Sequence, residues 1–161
     1  GDLLYLAGDR WGRPGAAIRA HYEGRSLEGF PKIREAAFYP LPRPELLALS
    51  GLLRGSLDSS DGLAETLWQL SELGVRVELE VLPLYPDVLA FAGSEEAALE
   101  LGLYGGEEVE AALGGPQEGA AAVEARAKAK GRPVCRVGRV VAGEGVYLRG
   151  APLPRKGYAH F

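Results

Sequence analysis

The stretch Asp61-Gly-Leu-Ala-Glu-Thr-Leu-Trp-Gln-Leu-Ser-Glu-Leu-Gly-Val-Arg-Val-Glu-Leu-Glu-Val-Leu82 passes from a helix signal straight into a strand signal. Leu63, Leu67 and Leu70 recur at the spacing of one helical face and Leu73 extends it. Glu65 falls in the first turn, where the helix dipole favours an acid, and Gly74 supplies the stop. From Val75 to Leu82 the period changes to two. Val75, Val77, Leu79 and Val81 alternate with Arg76, Glu78 and Glu80, so one face packs on a core and the other meets water.

Upstream, the apolar run Asp2 to Ala7, closed by Gly8, reads as a buried strand. Pro14 fits the first turn of a helix through Ala16, Ala17, Ile18 and Ala20, since a proline there loses no intrahelical bond. Phe30 to Pro44 carries prolines at 31, 40, 42 and 44 and predicts an irregular connector, whereas Leu46, Leu49, Leu52 and Leu53 predict a helix over Glu45 to Leu53, stopped at Gly55. Downstream, Pro83 and Pro86 bound the strand, and Ser94 is an N-cap for a helix through Glu95 to Leu101. Gly105-Gly106 breaks the chain before a short segment around Val109 to Leu113. An Ala-rich helix over Gln117 to Lys130 stops at Gly131, a strand follows over Val134 to Val141, and a turn at Gly143-Glu-Gly145 permits a hairpin to Val146–Arg149. Strands and helices interleave, so the expected fold class is α+β, a mixed sheet with helices packed on it, in one domain spanning residues 1–161.

Composition narrows the function. The 161 residues hold 22 acidic and 18 basic groups, a net charge of −4, with 47% apolar residues, which argues against disorder and against a basic nucleic-acid face. Cys135 is alone, so no internal disulfide forms, and it is expected in a strand as a small apolar residue. With His21 and His160 the only histidines, no zinc-ligand spacing exists. No apolar run reaches the roughly 18 residues of a membrane span and no secretory pattern opens the chain, so cytoplasm is the expected location. Met is absent even at position 1, as expected if Gly1 is an internal position of a longer product. The P-loop run, the Gly-x-Ser-x-Gly elbow and the Gly-x-Gly-x-x-Gly fingerprint are all missing.

Two constellations remain. Asp58-Ser-Ser-Asp61 packs two carboxylates and two hydroxyls where a strand or turn hands over to a helix. Hard oxygen donors suit Mg²⁺, and free amides at a helix start suit phosphate; equally, Asp61 or a serine caps the helix and Asp58 sits in an Asx turn. Tyr104-Gly-Gly-Glu-Glu108 lets backbone approach a ligand and sets an acid just after the turn, or is a plain turn with solvated glutamates. The aromatic end Gly157-Tyr-Ala-His-Phe161 either docks on the core or stacks on a ligand.

In order and rough spacing, Asp58-Ser-Ser-Asp-Gly-Leu63, Leu82-Pro-Leu84, Leu103-Tyr-Gly-Gly-Glu107, Val137-Gly-Arg139 and Gly157-Tyr-Ala-His-Phe161 resemble the C-terminal half of thiamine-monophosphate kinase along nearly the whole chain. Gly1-Asp-Leu-Leu-Tyr-Leu-Ala-Gly8 resembles the strand that opens the family's second domain. The resemblance implies the aminoimidazole-ribotide synthetase C-terminal-domain fold and ATP- and Mg²⁺-dependent phosphorylation of thiamine monophosphate to thiamine diphosphate. It implies that Asp58 and Asp61 hold Mg²⁺, Ser60 touches the nucleotide phosphates, Glu107 contacts the thiamine part and Tyr158 faces its rings. No residue here is assigned as the catalytic group itself. The family's N-terminal ATP- and metal-binding domain has no counterpart in these residues, so it is an expected partner. Thiamine monophosphate, ATP and, in the full-length protein, a second copy in a homodimer are the others; nucleic acid and membrane are not. The sequence departs from the family at Arg13, Glu108 and Ala159, each where the family usually has Asp. The rival expectation is a non-catalytic stand-alone domain that binds a phosphorylated small molecule or a protein partner.

Overall fold

In a computed structural model, residues 1–8, 10–38 and 43–156 are described. Strand β1 (Asp2–Ala7) leads into helix α1 (Arg13–Glu23), α2 (Pro31–Phe38) and a 3₁₀ helix over Pro44–Leu52. Strand β2 (Gly55–Ser59), α3 (Leu63–Ser71), β3 (Val75–Leu79), α4 (Pro86–Ala92) and α5 (Glu95–Tyr104) follow. Strand β4 (Glu108–Gly115), a 3₁₀ turn over Gln117–Gly119, α6 (Ala120–Ala129), β5 (Val134–Ala142), β6 (Val146–Leu148) and β7 (Ala151–Pro152) complete the described elements. The strands form one seven-stranded sheet in the order β2-β4-β1-β5-β3-β6-β7. Every pair is antiparallel except β3 with β6, so the sheet is mixed as expected.

Strand β1, an inner strand paired on both edges, is buried on both faces, which explains its continuous apolar run. Leu4 and Leu6 face a core shared with Ala16, Leu63, Leu67, Val88 and Leu101. Tyr5 turns the other way, to a smaller core with Leu49, Leu113, Val123 and Ala127. Helices therefore cover both faces: α1, α3, α4 and α5 on one, α6 and the 3₁₀ helix on the other.

The expected helix after Asp61 and the capped helix after Ser94 are both present. The Ser94 side chain accepts the Ala97 N–H at 3.1 Å, and that helix runs on to Tyr104. Several expectations need correction. Residues 31–38 are helical because Pro31 occupies the first turn, where its missing N–H costs nothing, and Pro86 opens α4 the same way. Glu45 to Leu53 folds as 3₁₀ rather than α-helix, over Pro44–Leu52. Strand β3 stops at Leu79, and Leu73 lies beyond α3 at 76% exposure. Val146–Arg149 makes no hairpin with β5. Gly143 and Gly145, at φ 129° and 90°, carry the chain past the start of β3, where Val77 N–H donates to Gly145 O, and β6 then pairs with β3 in parallel. Among the described residues, no helix is long and apolar enough to cross a membrane.

Candidate functional site

The site is built where β2 ends and β4 begins. The two strands pair as Asp58 with Ala111 and then Ser59 with Glu108, a register shift that opens the ladder at this point. Irregularities of this kind twist the strand and re-aim the residues after it. The buried Ser59 turns inward and its Oγ donates to the Glu108 and Glu110 carbonyls, at 2.6 and 3.1 Å. Asp58 and Ser60 are left facing outward, exposed.

The turn that follows holds itself in shape. Ser60 Oγ donates to Asp58 Oδ2 at 2.5 Å, and the Ser60 N–H reaches the same oxygen at 3.4 Å, so the Asx turn read as one alternative is formed. Gly62 N–H donates to Ser59 O at 2.9 Å, and Thr66 Oγ1 donates to Asp58 O at 2.9 Å. The N-cap position of α3 itself is held by Gly62, at φ 102°, and not by Asp61 or a serine. The hydrogen bonds from Ser60 hold the Asp58 carboxyl below the usual aspartate range, so it is an anion at neutral pH.

The Gly-Gly-Glu turn comes to the same place. Gly106 and Glu107 both have left-handed backbone, at φ 68° and 55°, which folds the chain back after α5. Glu107 N–H then donates to Ser60 O at 2.7 Å. Two motifs almost fifty positions apart in sequence thus share one hydrogen bond. Glu107 also lines a cleft of about 530 Å³ between α1 and α2, whose other walls include Pro14, Ala17, Ile18, His21 and Ala36. An exposed acid at the rim of a mostly apolar cleft suits a ligand with a cationic, aromatic body.

Asp58 and Asp61 bracket the turn. Among the described residues, no third carboxylate, histidine or cysteine completes a metal-binding group with them. The carboxylate and hydroxyl oxygens of Asp58, Ser60 and Asp61 are donors of the kind a hard cation takes. Tyr158 lies outside the described residues. The chain leading to it is strapped down: Arg155 spans Glu65 and Glu72 at 2.7 and 2.5 Å, Lys156 reaches Glu100 at 3.2 Å, and Tyr104 OH donates to Pro154 O at 2.7 Å.

Glu108, expected either as an acid beside a ligand-approaching turn or as a solvated glutamate, stands instead inside the molecule. Glu108 is buried, and burial pushes its carboxyl up to about 7 despite the Gly12 N–H it accepts at 2.9 Å; Glu110 pushes the same way and Arg13 opposes. Its signal in the sequence was slight, an acid beside another acid after a turn.

No protein-family model matches the chain. The protein tt0281 of Thermus thermophilus is 90% identical, with a TM-score of 0.93 over 96% of this chain and 51% of its own. A curated thiamine-monophosphate kinase of Pyrococcus horikoshii is 29% identical over 99% of this chain and 50% of its own length. AaThiL, solved with AMPPCP and TMP, is 25% identical with a TM-score of 0.81 over 100% of this chain and 52% of its own. The chain therefore spans about half the length of the curated relatives it matches. The resemblance and the aminoimidazole-ribotide synthetase-like fold read from the motifs both hold.

Proposed function

We propose, on the kinship of this chain with the C-terminal half of thiamine-monophosphate kinases, that it is the substrate- and nucleotide-contacting half of an enzyme converting thiamine monophosphate to thiamine diphosphate with ATP. The observation that carries this reading is the 2.7 Å bond from Glu107 N–H to Ser60 O, which sets the acid-rich turn beside the cleft acid. In the reaction an oxygen of the thiamine monophosphate phosphate attacks the γ-phosphorus of ATP. The bond to the β–γ bridging oxygen breaks, and ADP leaves with that electron pair. Such transfer depends mainly on positioning and charge neutralisation.

Asp58 and Asp61 would hold Mg²⁺, which when bound neutralises phosphate oxygens. Ser60, whose hydroxyl here donates to Asp58, would turn that proton to the nucleotide phosphates and leave the Asp58 oxygen to the cation. Glu107 would receive the cationic thiamine part at the cleft rim, and Tyr158 would face its rings. The strap at Arg155 and Lys156 supports that reading of the tail, because it fixes the chain against α3 and α5 just before Tyr158. Residues 1–161 form one domain, and an N-terminal ATP- and metal-binding domain completes the site. The whole protein works in the cytoplasm, as a homodimer.

The test is thiamine diphosphate formation by the full-length protein with ATP, Mg²⁺ and thiamine monophosphate. Asp58→Asn is expected to lower the rate on the order of 100-fold, the usual cost of removing one electrostatic stabiliser, and to weaken its Mg²⁺ dependence while the protein stays folded. Absence of any transfer by the wild-type protein, while it still binds both substrates, would refute the reading. An Asp58→Asn protein that unfolds would return Asp58 to a turn-holding role.

A further inference from the structure

Glu108 is the only buried carboxylate among the described residues. A buried carboxylate is costly to desolvate, so its bonds identify what the fold gains from it. The carboxylate leads to the start of α1, and the main chain around it leads to the Ser59–Ser60 turn. Its Oε2 accepts the N–H of Gly12, 96 positions away, which is the residue that starts α1. Its carbonyl accepts the Ser59 hydroxyl at 2.6 Å, next to Ser60. Its own peptide follows Glu107, whose N–H holds Ser60 O.

Gly12 has little freedom to move elsewhere. It sits at φ 101° with Val88 and Leu84 packed against the place a side chain would occupy. The helix it starts carries Pro14, Ala17 and Ile18, which form one wall of the cleft. Arg13, the cation nearest in the chain, lies 4.4 Å from the centre of the Tyr85 ring and 3.9 Å from Glu35. Glu110, two residues along β4, is paired with Arg43 at 2.9 Å.

We propose that Glu108 is a positioning residue: through Gly12 and Ser59 it locks the cleft wall, the Asp58–Asp61 turn and Glu107 into one geometry for the substrate. The substrate part of this statement rests on the kinase reading; the mechanical coupling does not. Loss of the carboxylate frees the Gly12 N–H directly, and the main-chain bonds to Ser59 and Ser60 loosen with it only as the start of β4 shifts once its anchor on α1 is gone.

The experiment compares Glu108→Ala, Glu108→Gln and Glu108→Asp in the full-length protein by hydrogen–deuterium exchange and by steady-state kinetics. In Glu108→Ala, exchange over residues 12–18 is expected to rise by about tenfold, the effect of leaving one buried amide without its acceptor, and exchange over 58–62 and 105–108 to rise with it by a smaller factor. Exchange in β5 stays as in the wild type. Glu108→Gln keeps an acceptor oxygen and is expected to restore the protection; Glu108→Asp, one methylene shorter, restores it in part. In kinetics, Glu108→Ala is expected to raise KM for thiamine monophosphate about tenfold with a smaller change in kcat, a split that marks lost binding geometry. Faster exchange spread evenly over the chain, or confined to residues beside 108, would overturn the coupling. Coupled exchange with an unchanged KM would overturn its role for the substrate. A wild-type protein without transfer activity sinks the kinase reading instead, and the exchange result still decides the coupling.

Discussion

At the scale of single residues, the raised Glu108 carboxyl has a thermodynamic consequence. An unfolded glutamate loses its proton near 4.5, and this one holds it up to about 7. Between those two values the unfolded chain is ionised and the folded one is not, so stability falls as pH rises across the window and levels off above it. The total loss is roughly 3 kcal/mol. Asp58 and Glu65 act with the opposite sign, being held below their ordinary range by Ser60 and Arg155 respectively, so their contributions are lost as pH falls. The difference between wild type and Glu108→Gln isolates the buried group. Denaturant unfolding at pH 4.5, 6 and 8 is expected to show Glu108→Gln gaining on the wild type as pH rises; a constant difference would show that the carboxyl titrates normally. The two motifs of the site were each legible in the sequence, because acids, hydroxyls and glycines in so few positions are unusual. Their meeting was not, since it depends on the β2–β4 register shift, and Glu108 was not, since its burial is set by a helix start 96 residues away.

Among the elements, the crossing of α1 over α5 is the tightest contact that positions the cleft. A Cβ on Gly15 would stand 2.4 Å from Leu101 O and 2.9 Å from Gly105 Cα, both of them backbone atoms that cannot swing aside. Gly15→Ala is therefore expected to cost about 1–3 kcal/mol by forcing the helices apart. Gly51→Ala, where nothing lies within 4 Å, is the comparison, and equal stabilities by denaturant unfolding would dismiss the argument. Elements with strong local chemistry were readable: the α3 face of Leu63 and Leu67, the Ser94 cap, and the apolar β1. Those read wrongly fail for two reasons. Prolines at 31 and 86 were read as breakers, yet a helix accepts one at its start. The partner of β6 was taken to be its neighbour in sequence, yet two left-handed glycines carry it past β3 to that strand's far edge.

For the whole molecule, the share of the relatives' length that this chain covers leads to a direct measurement. If the native product is the two-part enzyme, an antibody to this chain is expected to detect, in the source organism, a protein of about twice the 17.1 kDa of these residues. A native mass of 17.1 kDa would instead favour binding without turnover. The mixed sheet and its helical cover were legible from the interleaving of periods, whereas the order β2-β4-β1-β5-β3 was not, because local patterns do not encode which distant strands meet. That order also governs when the fold can form. The inner strand Asp2–Ala7 is among the first of these segments to be synthesised, yet both of its partners, Glu108–Gly115 and Val134–Ala142, are made much later. Pairings between such distant segments close slowly, and until they close both edges of an apolar strand stay open to other chains. A nascent chain halted before Val134 would have β4 to cover one edge of this apolar strand and nothing to cover the other, so the translation of β5 is the step that closes it.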